Sequence, residues 1–487
     1  MPPSETRNVA VAQASSNQTE QSAAPPPIIF EPQIERLLTL AEMVLAGKRR
    51  GEGSQATAKD SEAKKAKGAP EPDERSGTPA LFVVRGDTGA GKTTVLERVA
   101  AGLNVKSFFL RCHEGWTDPL HVFHDLTAAL RASRQGVEHV LERYAWGLGP
   151  ICSSGGDDAA GDPVEKPTFF AALASFLTDL AREEPFAIFI DDLNCADPLV
   201  PEFLGFLGRA LRKTHTAAFA RRNEPGQADR PRLLVIVSAA PVGDGDDPHA
   251  KALAGLLEEP FVTVMDLPEA DRAQCQRLLS ASPWRKLSNG NLTRFLALSR
   301  GNPLRCRVLL RLCEADVTET GADGAVARAE QLAADGIVRA FVLRLSPALR
   351  SLVSVLALSR RPVSEALLDR IMGRPVLDDL LSEARQGGLV REAPQGWFLA
   401  NQELTTVAHQ ILTPSERALW HDRIAASIAA EGPRDHPSLS YALCQHLVSG
   451  GTPHAAITPG LRAAEFLARH FAFQRALVVL YNLLGIL

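Results

Sequence analysis

Gly86 to Thr93 constrains the chain more than any other stretch. It reads Gly86-Asp87-Thr88-Gly89-Ala90-Gly91-Lys92-Thr93 and fits the pattern G-x4-G-K-[ST] at every fixed position. The surroundings fit as well. Leu81 to Val84 is an apolar run suited to a strand buried on both faces. Beyond the loop, Val95, Leu96 and Val99 recur at helical spacing. A glycine turn between strand and helix leaves successive backbone N–H groups unblocked, and they can point at phosphate oxygens. The helix N-terminus adds partial positive charge at the same place. Residues Gly86 to Thr94 are therefore candidate phosphate-binding positions. Lys92 is expected to reach the β- and γ-phosphates of a nucleotide, and the Thr93 hydroxyl to sit on Mg²⁺.

A second apolar run, Phe186 to Ile190, ends in Asp191-Asp192. A buried strand with carboxylates at its C-terminal tip delivers them where ligands bind in open α/β sheets. Asp191 is expected to hold Mg²⁺ through water. Asp192 is expected to orient or deprotonate the attacking water. Strand alternation would point the two side chains in different directions. A third run, Leu233 to Val237, ends at Ser238; a resemblance to the additional-strand class of nucleotide hydrolases implies a polar residue near the γ-phosphate at this tip, the place that Ser238 fills. Val105 to Leu110 reads as a further strand and Phe261 to Met265 as a short edge strand. The implied fold is an α/β phosphate-loop domain with a parallel sheet, covering 28–265 and preceded by a helix whose apolar face is Ile34, Leu37, Leu38, Ala41, Val44 and Leu45.

The remainder divides by composition and period. Residues 1–27 are rich in Ser, Gln, Ala and Pro and are expected to be disordered, as is the mixed-charge insertion 48–78. Residues 266–335 read as a helical lid containing Gly301-Asn302-Pro303-Leu304. Residues 336–430 read as helices followed by a short hairpin, Leu389 to Arg391 and Trp397 to Leu399, the pattern of a winged helix. Residues 431–487 read as the start of a helical-repeat array with alanines at contact positions. The 487 residues suffice for several domains, and the net charge of −4 predicts no polyanion partner. Seven scattered cysteines, without CxxC or Cys/His spacing, predict reduced thiols and no structural zinc. No signal peptide or membrane span is apparent, so a cytoplasmic protein without membrane partners is expected.

The ordered set of Gly86–Thr93, Phe186–Asp192 with Asp197-Pro198 after it, Gly301-Asn302-Pro303-Leu304 and the helices with hairpin resembles the STAND class of AAA+-related ATPases. More narrowly, it is similar to the large ATP-binding regulators of bacteria. The phrase Asp191-Asp192-Leu193-Asn194-Cys195-Ala196-Asp197-Pro198 is close to that group's Asp-Asp-Leu-His-Trp-Ala-Asp-Pro. The resemblance implies a switch that rests closed on ADP and opens to self-associate when a protein or small-molecule signal and ATP act on it. It implies Pro303 near the adenine and Asp191 and Asp192 at metal and water. Where the family usually offers a histidine toward the phosphate, this chain has Asn401.

Two other functions fit parts of the pattern. One is a DNA-binding AAA+ ATPase of the replication-initiator type, in which the winged helix reads duplex DNA. Against it, Val376 to Phe398 carries Asp378, Asp379, Glu383 and Glu392 beside Arg385 and Arg391, with no basic excess for phosphate contacts. The other is a nucleotide-bound scaffold with little turnover, which a multiple-turnover assay separates from the switch.

Overall fold

The computed structural model describes residues 30–45, 81–152, 164–220, 230–312, 324–331 and 336–487, except 114, 116–117, 243–246, 280–288, 325, 394 and 431–436. The expected disordered segments 1–27 and 48–78 lie outside the described residues.

Five strands form one sheet: β1 (Leu81–Arg85), β2 (Lys106–Arg111), β3 (Phe186–Asp191), β4 (Leu233–Ala239) and β5 (Val262–Asp266). Their order is β2-β3-β4-β1-β5, and every neighbouring pair is parallel. β4 thus separates β1 from β3, and the tips of all three open on one edge. Side-chain alternation splits the sheet into two cores. Val83, Ile188, Ile190, Val235 and Val237 pack with helices Lys166–Glu183 and Leu199–Ala220. Phe82, Val84, Phe189 and Ile236 pack with helices Glu31–Leu45 and Lys92–Gly102. Both faces are covered, which is why these strands read as unbroken apolar runs. Each fully buried Phe or Leu here contributes roughly 1.5–3 kcal/mol.

Past β5 the chain is helical. Helices Arg272–Leu279 and Pro303–Leu312 share one core with helices Pro347–Ser359, Glu365–Met372 and Arg374–Gln386, through Cys275, Phe295, Leu309, Leu352, Leu368 and Leu381. The helices on the two sides of residue 335 are therefore packed together. A two-stranded antiparallel hairpin follows, β6 (Val390–Ala393) and β7 (Gly396–Leu399). Gly396 has φ 131, and a Cβ there would lie 2.2 Å from the Val363 carbonyl oxygen, so the turn requires glycine. The sequence reading has no helix over Gln402–Ile411, yet the structure does. Asn401 starts it, its side chain accepting from the Leu404 amide at 2.9 Å. Leu404, Val407 and Ala408 bury the inner face.

The last three helices, Pro437–Ser449, Ile457–Arg469 and Phe473–Leu484, stack each on the next. Small residues permit the approach: a Cβ on Gly460 would lie 2.8 Å from Leu483 and 2.9 Å from the Cys444 sulfur. This stack returns to the sheet domain. Phe471 packs against Phe169 with ring centroids 5.7 Å apart, and Arg475 donates to Asp197 at 3.1 Å. Among the described residues, no helix is long and apolar enough to cross a membrane.

Candidate nucleotide site

The loop after β1 has the backbone that its glycines allow. Gly89 and Gly91 have φ of 81 and 99, where a side chain is strained. Lys92 opens the next helix and is buried, and its ammonium donates to the Gly86 and Asp87 carbonyls at 2.9 and 3.1 Å. The cation is thus held over the loop by the loop's own backbone. Thr93 donates its hydroxyl to Asp191 Oδ2 at 2.9 Å. A bare-backbone cradle at a helix N-terminus with one buried ammonium fits a polyphosphate. A hydroxyl beside a carboxylate fits a hydrated Mg²⁺. Thr93 and Asp191 would hold the ion, and bound there it would neutralise phosphate charge.

Asp191 is fully buried at the tip of β3 and carries three side-chain partners. Ser238 donates to Oδ1 at 2.6 Å, Thr93 to Oδ2, and the Arg111 guanidinium stands 3.2 Å from Oδ2. Ser238 also accepts from the Asp192 backbone amide at 2.8 Å. It is fully buried and does not line the cleft, so its place is behind the carboxylates, positioning both. Asp191 and Asp192 do face different ways, though not by the expected strand alternation. β3 ends at Asp191, and Asp192 is left-handed, with φ 57 and ψ 50. That kink, fixed by the Ser238 hydroxyl, turns the Asp192 side chain into the cleft. Burial first, and then the Asp191 carboxylate, push its carboxyl up to about 6, against the pull of Lys92, Arg111 and Arg391.

The cleft wall comes from four parts of the chain. The loop gives Thr88, Gly89, Gly91, Lys92, Thr93 and Thr94; the first helix gives Phe30 and Ile34. The lid gives Pro303, Leu304 and Arg307, and the hairpin unit gives Arg391, Ala400, Asn401 and Gln402. Of the expected loop residues, Gly86, Asp87 and Ala90 do not line the cleft; the first two supply the carbonyls that hold Lys92. The lid is bonded to the loop directly. Asn302 donates to the Thr88 carbonyl at 2.8 Å, and the Leu304 amide to the Gly89 carbonyl at 3.3 Å. The Asn302 oxygen meanwhile accepts from the Leu304 and Arg305 amides, capping the helix that carries Pro303. Phe30, Ile34, Arg111, Arg307, Arg391 and Gln402 were not singled out as site residues from sequence. Arg111 is placed by the sheet register, which sets it beside Asp191, a relation that the sequence does not display.

This docking makes Gly89 sensitive. A Cβ there would lie 2.6 Å from the Leu304 Cβ and 2.8 Å from the Asn302 oxygen, on a backbone of positive φ. Gly89→Ala should lower thermal stability by about 1–3 kcal/mol and loosen the lid. Gly255→Ala is the control, since a Cβ there meets nothing within 4 Å. It should be neutral or slightly stabilising, as helical Gly to Ala usually is. Melting curves of the two variants check this.

Comparison with known proteins agrees with the site's chemistry. Residues 72–236 match the AAA ATPase domain family. Among solved structures, the chain is similar to the Aeropyrum pernix ORC2 protein in its ADPNP–ADP complexes, at 13% identity and TM-score 0.33, covering 80% of this chain and 97% of that one. It is also similar to a Walker-type ATPase of Pyrococcus abyssi, at 15% identity and TM-score 0.28, covering 68% and 91%. A mutant RuvB of Thermotoga maritima follows at 13% identity and TM-score 0.30, covering 77% and 96%. No curated protein matches the chain.

Proposed function

We propose that this chain, with its AAA ATPase domain, is an ATP-binding and ATP-hydrolysing signalling switch whose nucleotide controls opening and self-association. Lys92 and the amides of Gly89 to Thr93 bind the phosphates. Thr93 and Asp191 would hold Mg²⁺, and Asp192 would orient or deprotonate the attacking water. Pro303 and Leu304 of the lid close on the nucleotide from one side, and Phe30 and Ile34 from another.

One observation carries the switch over a plain ATPase: the cleft wall is shared between the phosphate loop, the lid and the hairpin unit. A ligand at such a junction has different affinity for docked and undocked arrangements, which is the condition for shifting their balance. In this reading the helices and hairpin of 336–430 are a winged helix, and 431–487 begin a repeat array that receives the signal. The STAND-like regulators are then the nearest functional analogy.

The hairpin disfavours the DNA-reading alternative. Trp397, Phe398 and Leu399 are each 8% exposed. Phe398 lies on His113 with centroids 4.5 Å apart and under Arg111 at 5.4 Å. The wing is thus spent on the ATPase domain in this arrangement. Light scattering tests the switch: a monomer is expected with Mg-ADP, and a larger mass with a slowly hydrolysed ATP analogue. An unchanged mass in both favours the scaffold reading.

A further inference from the structure

The hairpin and the metal position meet at one side chain. Arg111 ends β2, next to Asp191 in register, with its guanidinium 3.2 Å from Asp191 Oδ2. That guanidinium also lies over the Phe398 ring of β7, 5.4 Å from its centroid. Glu97, on the helix after the phosphate loop, stands 3.8 Å from Arg111 and 3.6 Å from Arg391 of β6. Arg111 therefore touches the carboxylate of the metal position and the face of the hairpin at once.

Resting on the switch reading above, we propose that Arg111 couples the two. Its guanidinium and a hydrated Mg²⁺ compete for Asp191, so binding of Mg-ATP releases the hairpin that stays docked in the ADP state. A carboxylate offers about four lone-pair positions. Ser238, Thr93 and Arg111 take three of them. Thr93 can keep its bond to Asp191 and still face the metal through its oxygen lone pairs. Ser238 points from behind and is fully buried. Arg111 is the partner that must yield, because a divalent cation repels a guanidinium at this range. Once it leaves Asp191, it leaves the position that stacks it on Phe398. The coupling is reciprocal: a docked hairpin lowers metal affinity by the same factor by which metal weakens docking. Arg111 is a positioning residue in this scheme, acting through Asp191.

The test uses the full chain with a slowly hydrolysed ATP analogue, titrating Mg²⁺ and following hydrogen exchange over residues 390–399. In wild type, saturating Mg²⁺ should speed exchange there about tenfold, the scale of one partly desolvated cation–π contact. In Arg111→Gln, exchange should be fast without Mg²⁺, change little on adding it, and the apparent Mg²⁺ affinity should rise about tenfold. Phe398→Leu leaves the Asp191 pair in place, so it should speed exchange but raise Mg²⁺ affinity less than Arg111→Gln does. It also guards against a folding defect in the first variant. The proposal is overturned if Arg111→Gln matches wild type in both Mg²⁺ affinity and exchange while the analogue still binds. Wild type that binds no analogue with Mg²⁺ would bring down the nucleotide reading itself, and this proposal with it.

Discussion

Lys92→Ala should abolish the thermal stabilisation that Mg-ADP confers on the wild-type protein. Nucleotide at ~100 times its dissociation constant stabilises a fold by about 2.7 kcal/mol. In a domain of this size that is an upward shift of roughly 5–10 °C. Lys92 is the one loop cation, and its Nζ already sits 2.9 and 3.1 Å from the loop carbonyls, preorganised over the cradle. Truncation also deletes those two bonds, so the variant may not be compared with wild type by absolute melting temperature. The quantity to compare is the shift on adding Mg-ADP. Equal shifts in the two proteins would remove the phosphate loop from the account.

Asp192→Asn should retain ATP and turn it over about 10²–10⁴ times more slowly, the usual worth of a positioned general base. Its side chain faces the cleft beside Lys92 and Thr93. Without metal its carboxyl is pushed up to about 6; wild-type turnover should fall as the pH drops far enough to protonate it, at a lower pH once a divalent cation stands beside Asp191. Stability runs the other way. The folded protein keeps the proton to about pH 6, whereas the unfolded chain releases it near the ordinary value of 3.8. The protonated folded form is therefore favoured below 3.8, and that advantage is lost as pH rises to 6. At neutral pH, Asp192→Asn should melt no lower than wild type in the absence of Mg²⁺. Asp191→Asn should behave oppositely, losing both stability and Mg²⁺ dependence. An amide cannot accept from Ser238, Thr93 and Arg111 as the carboxylate does. A wild-type turnover rate in Asp192→Asn would require another base.

The sequence pattern was sufficient where chemistry and spacing are local. The loop Gly86–Thr93, the apolar run ending in Asp191 and the Gly301–Leu304 break each announce themselves within a dozen residues. It fell short where the site is assembled over distance. Phe30 and Ile34 reach the cleft only because one helix packs on the phosphate-loop helix. Arg391 and Gln402 reach it only because a hairpin folds back over the strand tips. Asn401 was readable as a phosphate-facing residue by analogy. Its oxygen caps the helix through the Leu404 amide, and its NH₂ is the group that could donate to a phosphate in the cleft it lines. Asp191 and Asp192 do face different ways, but a left-handed residue that ends the strand turns Asp192, where alternation assumes that the strand continues.

The turn from Asp192 to Asp197 has a mechanical consequence. It is braced internally by the Cys195 amide on the Asp192 carbonyl at 2.8 Å and the Ala196 amide on the Leu193 carbonyl at 3.1 Å. Ser238 grips one end, Arg475 from the last helix grips the other, and Gln402 holds Cys195 between them. Few soft torsions are left along it. Such a segment is expected to act as a short crank, passing a displacement of the C-terminal helices at Asp197 on to Asp192 at the cleft. The contact that would carry it spans nearly three hundred residues of chain.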